Sequence, residues 1–378
     1  MKTFNDEVLV FKNAVIIKNT VDRWMHKVID QMRKSNRFMI KKAVLDLGFV
    51  SNSSNRFDWI NNFPLSVCLT ADNVWWTVEV ENVFNEIKLG NRLSMKQYLN
   101  QLNKKINDIV LQSRKEMLEN RRNKYSSIII LDVHHRDIIE SFVINNVIFG
   151  KSFEWDSVIK TYWIKSKDNL YLSQCSGLFD YGYEFTGSNK NIVITPLTNR
   201  IFLTFTQALM MCLGGATYGL SGTGKTDTIM AMATIFGNIC KVINCSDGLD
   251  HQTFSQFLNG ICQSKIWGLF TKFTRISQKT LSVISTLLLS TKWTLFGNKN
   301  ENNFQEYNLS ISPKIGIFIT LNIEEINVKK KEIDEIIKSH FRPVICLLPD
   351  FEQICFTILY SEGFLEAKVR SSKIIILN

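Results

Sequence analysis

A helical region followed by an α/β domain, with a central parallel sheet and flanking helices, is the fold class that three features of this 378-residue sequence predict. Up to about residue 168, long stretches repeat apolar residues at helical spacing. From about residue 169, short β-branched runs alternate with helical stretches, as they do where crossover helices join parallel strands. Between one such run and the helical stretch after it stands a glycine-rich loop that ends in Lys-Thr. The texture changes near Lys165 to Asn169, which sets two domains at 1–168 and 169–378.

The elements follow in order. Val21 to Val44 places Trp24, Val28, Ile29, Met32, Met39 and Ile40 near one face, with Lys and Arg between them, and reads as an amphipathic helix. Ser94 to Met117 repeats the pattern through Tyr98, Leu99, Leu102, Ile106, Ile109 and Val110. Between them, Phe57, Trp59, Phe63, Trp75 and Trp76 read as core packing between helices, in preference to a stacking platform for nucleic acid. The apolar run Ile128 to Leu131 leads into Asp132-Val133-His134-His135-Arg136-Asp137. Neighbouring helical residues point about 100° apart, so His134 and His135 do not chelate one ion as an i, i+4 pair would. That segment reads as a polar cluster at a helix start. In the second domain the candidate strands are Met211 to Ala216, Lys241 to Cys245, Ile266 to Phe270, Gly316 to Leu321 and Val344 to Leu348. Candidate helices are Thr226 to Ile235, Gln252 to Gln263, Ser277 to Ser290 and Lys331 to Ser339. The polar stretch Gly297 to Ile311 interrupts the pattern and suits a hairpin.

Composition narrows the function classes. Hydrophobic residues make up 45% and charged residues 21%, enough to build packed cores. The net charge of +10, with clusters at Arg121, Arg122 and Lys124 and at Lys329 to Lys331, favours acidic partners such as nucleotide phosphates. No recognition-helix or stacking motif accompanies that charge, so nucleic acid is not expected as a partner. Eight cysteines stand singly with no C-x-x-C spacing, the pattern of reduced thiols in an intracellular protein. No apolar run reaches the length of a membrane span, and the N-terminus lacks the apolar core of a signal peptide, so no membrane partner is expected.

The chemistry rests on Gly219-Leu220-Ser221-Gly222-Thr223-Gly224-Lys225-Thr226, a full G-x-x-x-x-G-K-T between a candidate strand and a candidate helix. Glycines let such a loop wrap around phosphates, so that backbone N–H groups and the helix N-terminus meet the anion. Lys225 would reach the β- and γ-phosphates of ATP, and the Thr226 hydroxyl would ligate Mg²⁺. Hydrolysis needs more, namely a carboxylate that orders the metal and one that orients the attacking water. Their place is the end of the strand Ile266 to Phe270, where Thr271-Lys272-Phe273-Thr274-Arg275 follows without a carboxylate. The Lys272 ammonium either lies near the γ-phosphate, partly replacing the metal charge, or faces solvent.

Several strings resemble the dynein heavy chains. Asp180-Tyr181-Gly182-Tyr183-Glu184-Phe185 and Ile194-Thr195-Pro196-Leu197-Thr198-Asn199-Arg200 look like the approach to that family's first AAA+ module. Leu213-Gly214-Gly215-Ala216, the phosphate loop, Asn244-Cys245-Ser246-Asp247-Gly248-Leu249-Asp250, Phe341-Arg342-Pro343-Val344 and Glu362-Gly363-Phe364-Leu365-Glu366-Ala367 follow in the family's order. Upstream, Trp75 to Glu81 and Asp132 to Asp137 resemble the last part of the dynein linker. The resemblance implies a linker-like helical region over 1–168 and an AAA+ module over 169–378 that ends inside its small subdomain. Ile194, Pro196, Leu197 and Thr198 would lie against the adenine, Asn322 would be the polar sensor, and Arg342 would be an arginine finger facing a neighbouring module's nucleotide. Two departures stand out. The family's Asp-Glu pair is replaced by Thr271 and Lys272, and its Pro-Gly after the sensor asparagine by Ile323 and Glu324.

The resemblance therefore implies an ATP- or ADP-binding component of microtubule-based movement with a degenerate hydrolytic site. Its partners would be dynein intermediate and light chains, and microtubules, reached through regions absent from this sequence. Its setting would be the cytoplasm and cytoskeleton, with the ciliary axoneme favoured. A non-motor nucleotide-binding assembly module and a truncated, non-functional isoform are the alternatives.

Overall fold

A computed structural model describes residues 1–3, 7–18, 20–49, 53–187, 192–246, 248–297, 302–304, 307–309, 315–324, 335–364 and 366–376. The chain forms two compact units, Met1–Thr195 together with Asp350–Asn378, and Pro196–Pro349. The first is mainly helical and the second is α/β.

Five long or medium helices build the first unit: α1 Val21–Gly48, α2 Ser53–Asn62, α3 Leu65–Lys88, α4 Ser94–Ser113 and α5 Glu119–Ile144, followed by the single turn α6 Phe153–Asp156. In α1 the buried residues Met32, Asn36, Ile40 and Ala43 recur at i, i+4, i+8 and i+11; Met32 and Ile40 belong to the predicted face, Trp24, Val28 and Met39 are half-buried, and Ile29 is exposed. Pro64 precedes α3 with φ already at −59°, so the helix begins at the first residue able to continue it. The core joins Trp76, Phe84, Tyr98, Leu102, Phe142 and Trp155. Trp155 is 1% exposed and has the rings of Trp76, Phe84 and Phe142 at 5.5, 5.9 and 6.1 Å. Trp59 and Trp75 donate their indole N–H groups to the carbonyls of Ala43 and Val44. These rings are spent on packing, as read from the sequence.

Two features of this unit depart from the sequence reading. The Asp132 to Asp137 segment lies in the middle of α5, not at a helix start. Helix α5 begins at Glu119, and the run Ile128 to Leu131 is one of its inner turns. A three-stranded antiparallel sheet, β1 Lys160–Ile164, β2 Asn169–Gln174 and β3 Gly177–Asp180, was not anticipated. Its signal is the alternation of buried Leu170, Leu172 and Gln174 along β2, short enough to pass for loop.

The second unit contains α7 Pro196–Met210, β4 Gly214–Gly219, α8 Lys225–Ile235, β5 Cys240–Asn244, α9 His251–Ser264, β6 Trp267–Thr271, α10 Gln278–Gly297, the hairpin β7 Asn302–Phe304 and β8 Tyr307–Leu309, β9 Gly316–Asn322, α11 Glu335–His340 and β10 Phe341–Ile345. Five strands pair in the order β10-β4-β9-β6-β5, all parallel. Every candidate strand is present, displaced by at most a few residues, and the hairpin falls within the polar stretch that suits one. Strands β6 and β9, buried along nearly their whole length, read as near-continuous apolar runs, whereas the edge strands β5 and β10 are mostly exposed. Phe205 of α7 packs at 5.5 Å from Phe318 on one face, while Phe254 of α9 meets Phe270 at 4.7 Å. Among the described residues no helix is long and apolar enough to cross a membrane.

The chain then returns to the first unit as α12 Phe351–Ser361 and α13 Ala367–Ile376. Helix α12 starts at a defined cap, because the Asp350 carboxylate accepts from the backbone N–H of Glu352 at 3.0 Å and of Gln353 at 3.3 Å. Tyr360 donates to Asn107 Oδ1 at 2.7 Å, and the Ser126 and Ser361 hydroxyls lie 2.9 Å apart. Asp350→Ala is expected to cost about 1 kcal/mol and Asp350→Ser much less. Urea melts of the two variants check this.

Candidate nucleotide-binding site

The site is built at the carboxyl edge of the parallel sheet, where open α/β folds place ligands. Strand β4 ends at Gly219, the loop runs through Leu220 to Gly224, and α8 starts at Lys225. Gly222 and Gly224 have φ of +80° and +75°, in the left-handed region, and a Cβ at either would meet no atom within 4 Å. Backbone conformation, not crowding, demands glycine there, and the concave side stays open for an anion. Gly219 answers to the opposite constraint: a Cβ would stand 2.6 Å from the carbonyl oxygen of Cys346. Thr223 Oγ1 donates to the Leu220 carbonyl at 3.0 Å, and Thr228 Oγ1 to the Gly224 carbonyl at 2.8 Å, which fixes the turn. A glycine loop of this shape opening onto a helix is the arrangement whose backbone N–H groups meet a nucleotide's phosphates.

Lys225 is buried, and its ammonium donates to the carbonyls of Gly219 and Leu220. Burial pushes its pKa below the usual lysine range, while Cys346 and Glu324 act in the opposite sense. Burial also pushes the Cys346 thiol up to about 11, so at neutral pH it stays a neutral thiol. Thr226, half-buried in the first turn of α8, carries the hydroxyl suited to Mg²⁺.

Sheet register brings further predicted residues to the same edge. Asn322, the last residue of β9, pairs with Gly219. Thr271, the last residue of β6, pairs with Asn244. Its hydroxyl donates to Asn244 Oδ1 at 2.9 Å. Lys272 follows in the left-handed region with φ of +54°, and its N–H donates to Thr320 Oγ1 at 3.3 Å. The end of β6 thus carries Thr271, with Lys272 directly after it, and no carboxylate. Pro196, Leu197 and Thr198 form the first turn of α7, and Ile194 lies two residues before it. Arg342 is not brought to the loop. It is exposed and pairs with Gly215, four residues along β4 from Gly219, or about 13 Å at the strand rise. Two residues escaped the sequence reading of this site. Asn244 stands within a family string with no role assigned to it, and Glu324 marks only a departure from the family pattern. Asp247 and Leu365, from the same strings, lie outside the described residues.

A second polar centre lies in the helical unit. Asp72, Asp132 and His135 form a cluster of metal-ligating types, with one donor atom from each within 4.8 Å of the others. Arg56 already bridges the two acids, at 2.9 Å from Asp72 Oδ1 and 3.1 Å from Asp132 Oδ1. His135 stacks on Trp76 at 4.1 Å with its Nε2 3.0 Å from Asn73 Oδ1, and burial lowers its pKa to about 3. It is a neutral core histidine.

A glycine-rich loop leading into Lys-Thr at the end of a central parallel strand, with a polar residue closing the adjacent strand, defines an ATP-binding module of the AAA+ type. Residues 181–378 match the family model described as the hydrolytic ATP binding site of the dynein motor region. The chain belongs to the dynein heavy chain family. It is 38% identical over 371 residues to dynein axonemal heavy chain 10 of Homo sapiens, covering 98% of this chain and 8% of that protein. It is 36% identical over 377 residues to the dynein-1-alpha heavy chain of the flagellar inner arm I1 complex of Chlamydomonas reinhardtii, and 33% identical over 357 residues to the ciliary dynein beta chain of Heliocidaris crassispina. Those matches cover 100% and 94% of this chain and 8% of each relative. The chain spans about a twelfth of the length of the relatives it matches.

Proposed function

We propose that the chain is the nucleotide-holding start of a dynein motor, retaining ATP or ADP while turning it over little or not at all. Residues 1–168 would be the last part of the linker and 169–378 the first AAA+ module. The observation that carries the reading is the state of the sheet's carboxyl edge: an intact Gly219 to Thr226 loop beside Asn322, with Thr271 and Lys272 closing β6. Lys225 would contact the β- and γ-phosphates, and Thr226 would ligate the Mg²⁺ that screens them. Ile194, Pro196, Leu197 and Thr198 would lie against the adenine, and Asn322 would position water. Arg342, far along β4 from this loop, suits a role toward another module's nucleotide. The axonemal and ciliary setting is read from the relatives' names; microtubule-based movement and intermediate- and light-chain partners are what the family resemblance implies, and they would belong to a longer assembly.

The missing carboxylates should remove much of the electrostatic and positioning catalysis on which phosphoryl transfer depends, each being worth about 10²–10³ in rate. Paired ATP-binding and turnover assays test the reading. The wild-type chain is expected to bind ATP without measurable turnover. Thr271→Asp combined with Lys272→Glu is expected to raise turnover by at least about 10²-fold. Brisk turnover by the wild-type chain, or a double variant no faster than it, would sink the proposal that these positions limit hydrolysis.

A further inference from the structure

We propose that Glu324 supplies the acidic group of this site and, with Thr226, holds the Mg²⁺ of the bound nucleotide. The inference rests on the nucleotide-binding reading above and assigns a role to a residue at a position where the family pattern has none.

Topology makes the case. Strand β9 lies directly beside β4, whereas β6 lies one strand further out. At the usual spacing, a residue leaving β9 starts about 5 Å from the loop strand and one leaving β6 about 10 Å. Glu324 stands two residues beyond Asn322, which pairs with Gly219 at the base of the loop. Two residues span at most about 7 Å, so the carboxylate stays within side-chain reach of the phosphate loop. It is exposed, and its charge is felt at Lys225, the residue that marks the phosphate position.

Among the described residues, the end of β6 carries no carboxylate. Thr271 has its hydroxyl committed to Asn244, and Lys272 carries the same sign of charge as a metal. Mg²⁺ on a nucleotide keeps most of its waters and needs one or two protein oxygens besides the phosphates. The Thr226 hydroxyl and a Glu324 carboxylate acting through water meet that need.

Calorimetric titration of the purified chain with ATP, in Mg²⁺ and in EDTA, tests the assignment. Wild type is expected to bind ATP about tenfold more tightly in Mg²⁺ than in EDTA. Glu324→Gln should keep the EDTA affinity and lose that gain, and Mn²⁺ electron paramagnetic resonance should show weaker metal retention in its ATP complex. A Glu324→Gln variant with the full Mg²⁺ gain and unchanged Mn²⁺ retention overturns the inference, as does a wild-type chain whose ATP affinity ignores Mg²⁺. Those outcomes leave nucleotide binding standing. Absence of ATP binding in both buffers overturns the site reading together with this inference.

Discussion

Lys225→Ala is expected to weaken ATP binding about a hundredfold while leaving the fold intact. The ammonium would make charge-assisted hydrogen bonds to two phosphates, together worth about 3 kcal/mol, and each 1.4 kcal/mol is about tenfold in Kd. Stability should change little for a separate reason. Burial lowers the pKa of Lys225, so its charged form is less at ease in the folded chain than in water, and the fold does not depend on that charge. Its contacts to the Gly219 and Leu220 carbonyls lie within its own loop. Titration with ATP alongside a thermal melt without nucleotide separates the two effects. Unchanged affinity would place the nucleotide elsewhere. A large drop in Tm would mean that Lys225 holds the loop together.

Arg56→Met is expected to cost about 3–5 kcal/mol at pH 7.5, the usual result of removing one partner from a buried ion pair. Arg56 has 11% of its side chain exposed and stands between Asp72 and Asp132, exposed by 14% and 6%. Removing it leaves two carboxylates facing each other in a poorly solvated space. Burial pushes Asp132 up to about 6, helped by Asp72 and opposed by Arg56. Burial works the same way on Asp72, but Arg56 prevails and holds it below the usual carboxylate range. A carboxyl group with a raised folded pKa contributes stability that is fully present below its unfolded value of 3.8 and lost as pH rises through about 6. Asp132 should therefore make the chain lose stability between about pH 4 and 6, and Asp132→Asn should flatten that slope. Asp132→Asn should also recover part of the Arg56→Met loss, since it removes one of the stranded charges. Urea melts of the three variants at pH 5 and 7.5 test both statements. A loss below about 1 kcal/mol for Arg56→Met would show that water reaches the cluster and screens it.

What was legible from sequence had a local cause. The phosphate loop is eight consecutive residues whose glycines are required by their own backbone angles, so its chemistry could be read before any fold was known. Strands β6 and β9 announce themselves because burial on both faces leaves near-continuous apolar runs. The aromatic stretch from Phe57 to Trp76 could be read as core because so many large rings must find shelter from water. Thr271 and Lys272 could be placed at the end of β6 from sequence because the end of a strand is itself a local address.

What escaped depended on residues far apart in the chain. The small sheet of β1 to β3 pairs three short strands, and six alternating residues in β2 carry too weak a signal without their partners. His134 and His135 resembled the start of a helix because Asp, His and Arg are polar. Their place inside α5 is possible because Trp76 covers His135, while Asp132 finds Arg56 across 76 residues of sequence. Glu324 could be noted only as an odd residue after Asn322 until sheet order set β9 beside β4. The sequence by itself determined the phosphate loop and the alternation of strands and helices, because each is settled within one element or between neighbours in the chain. Tertiary structure alone decided which charges share a buried pocket and which strand lies beside the loop strand, because both follow from helix packing and strand order that bring distant residues together.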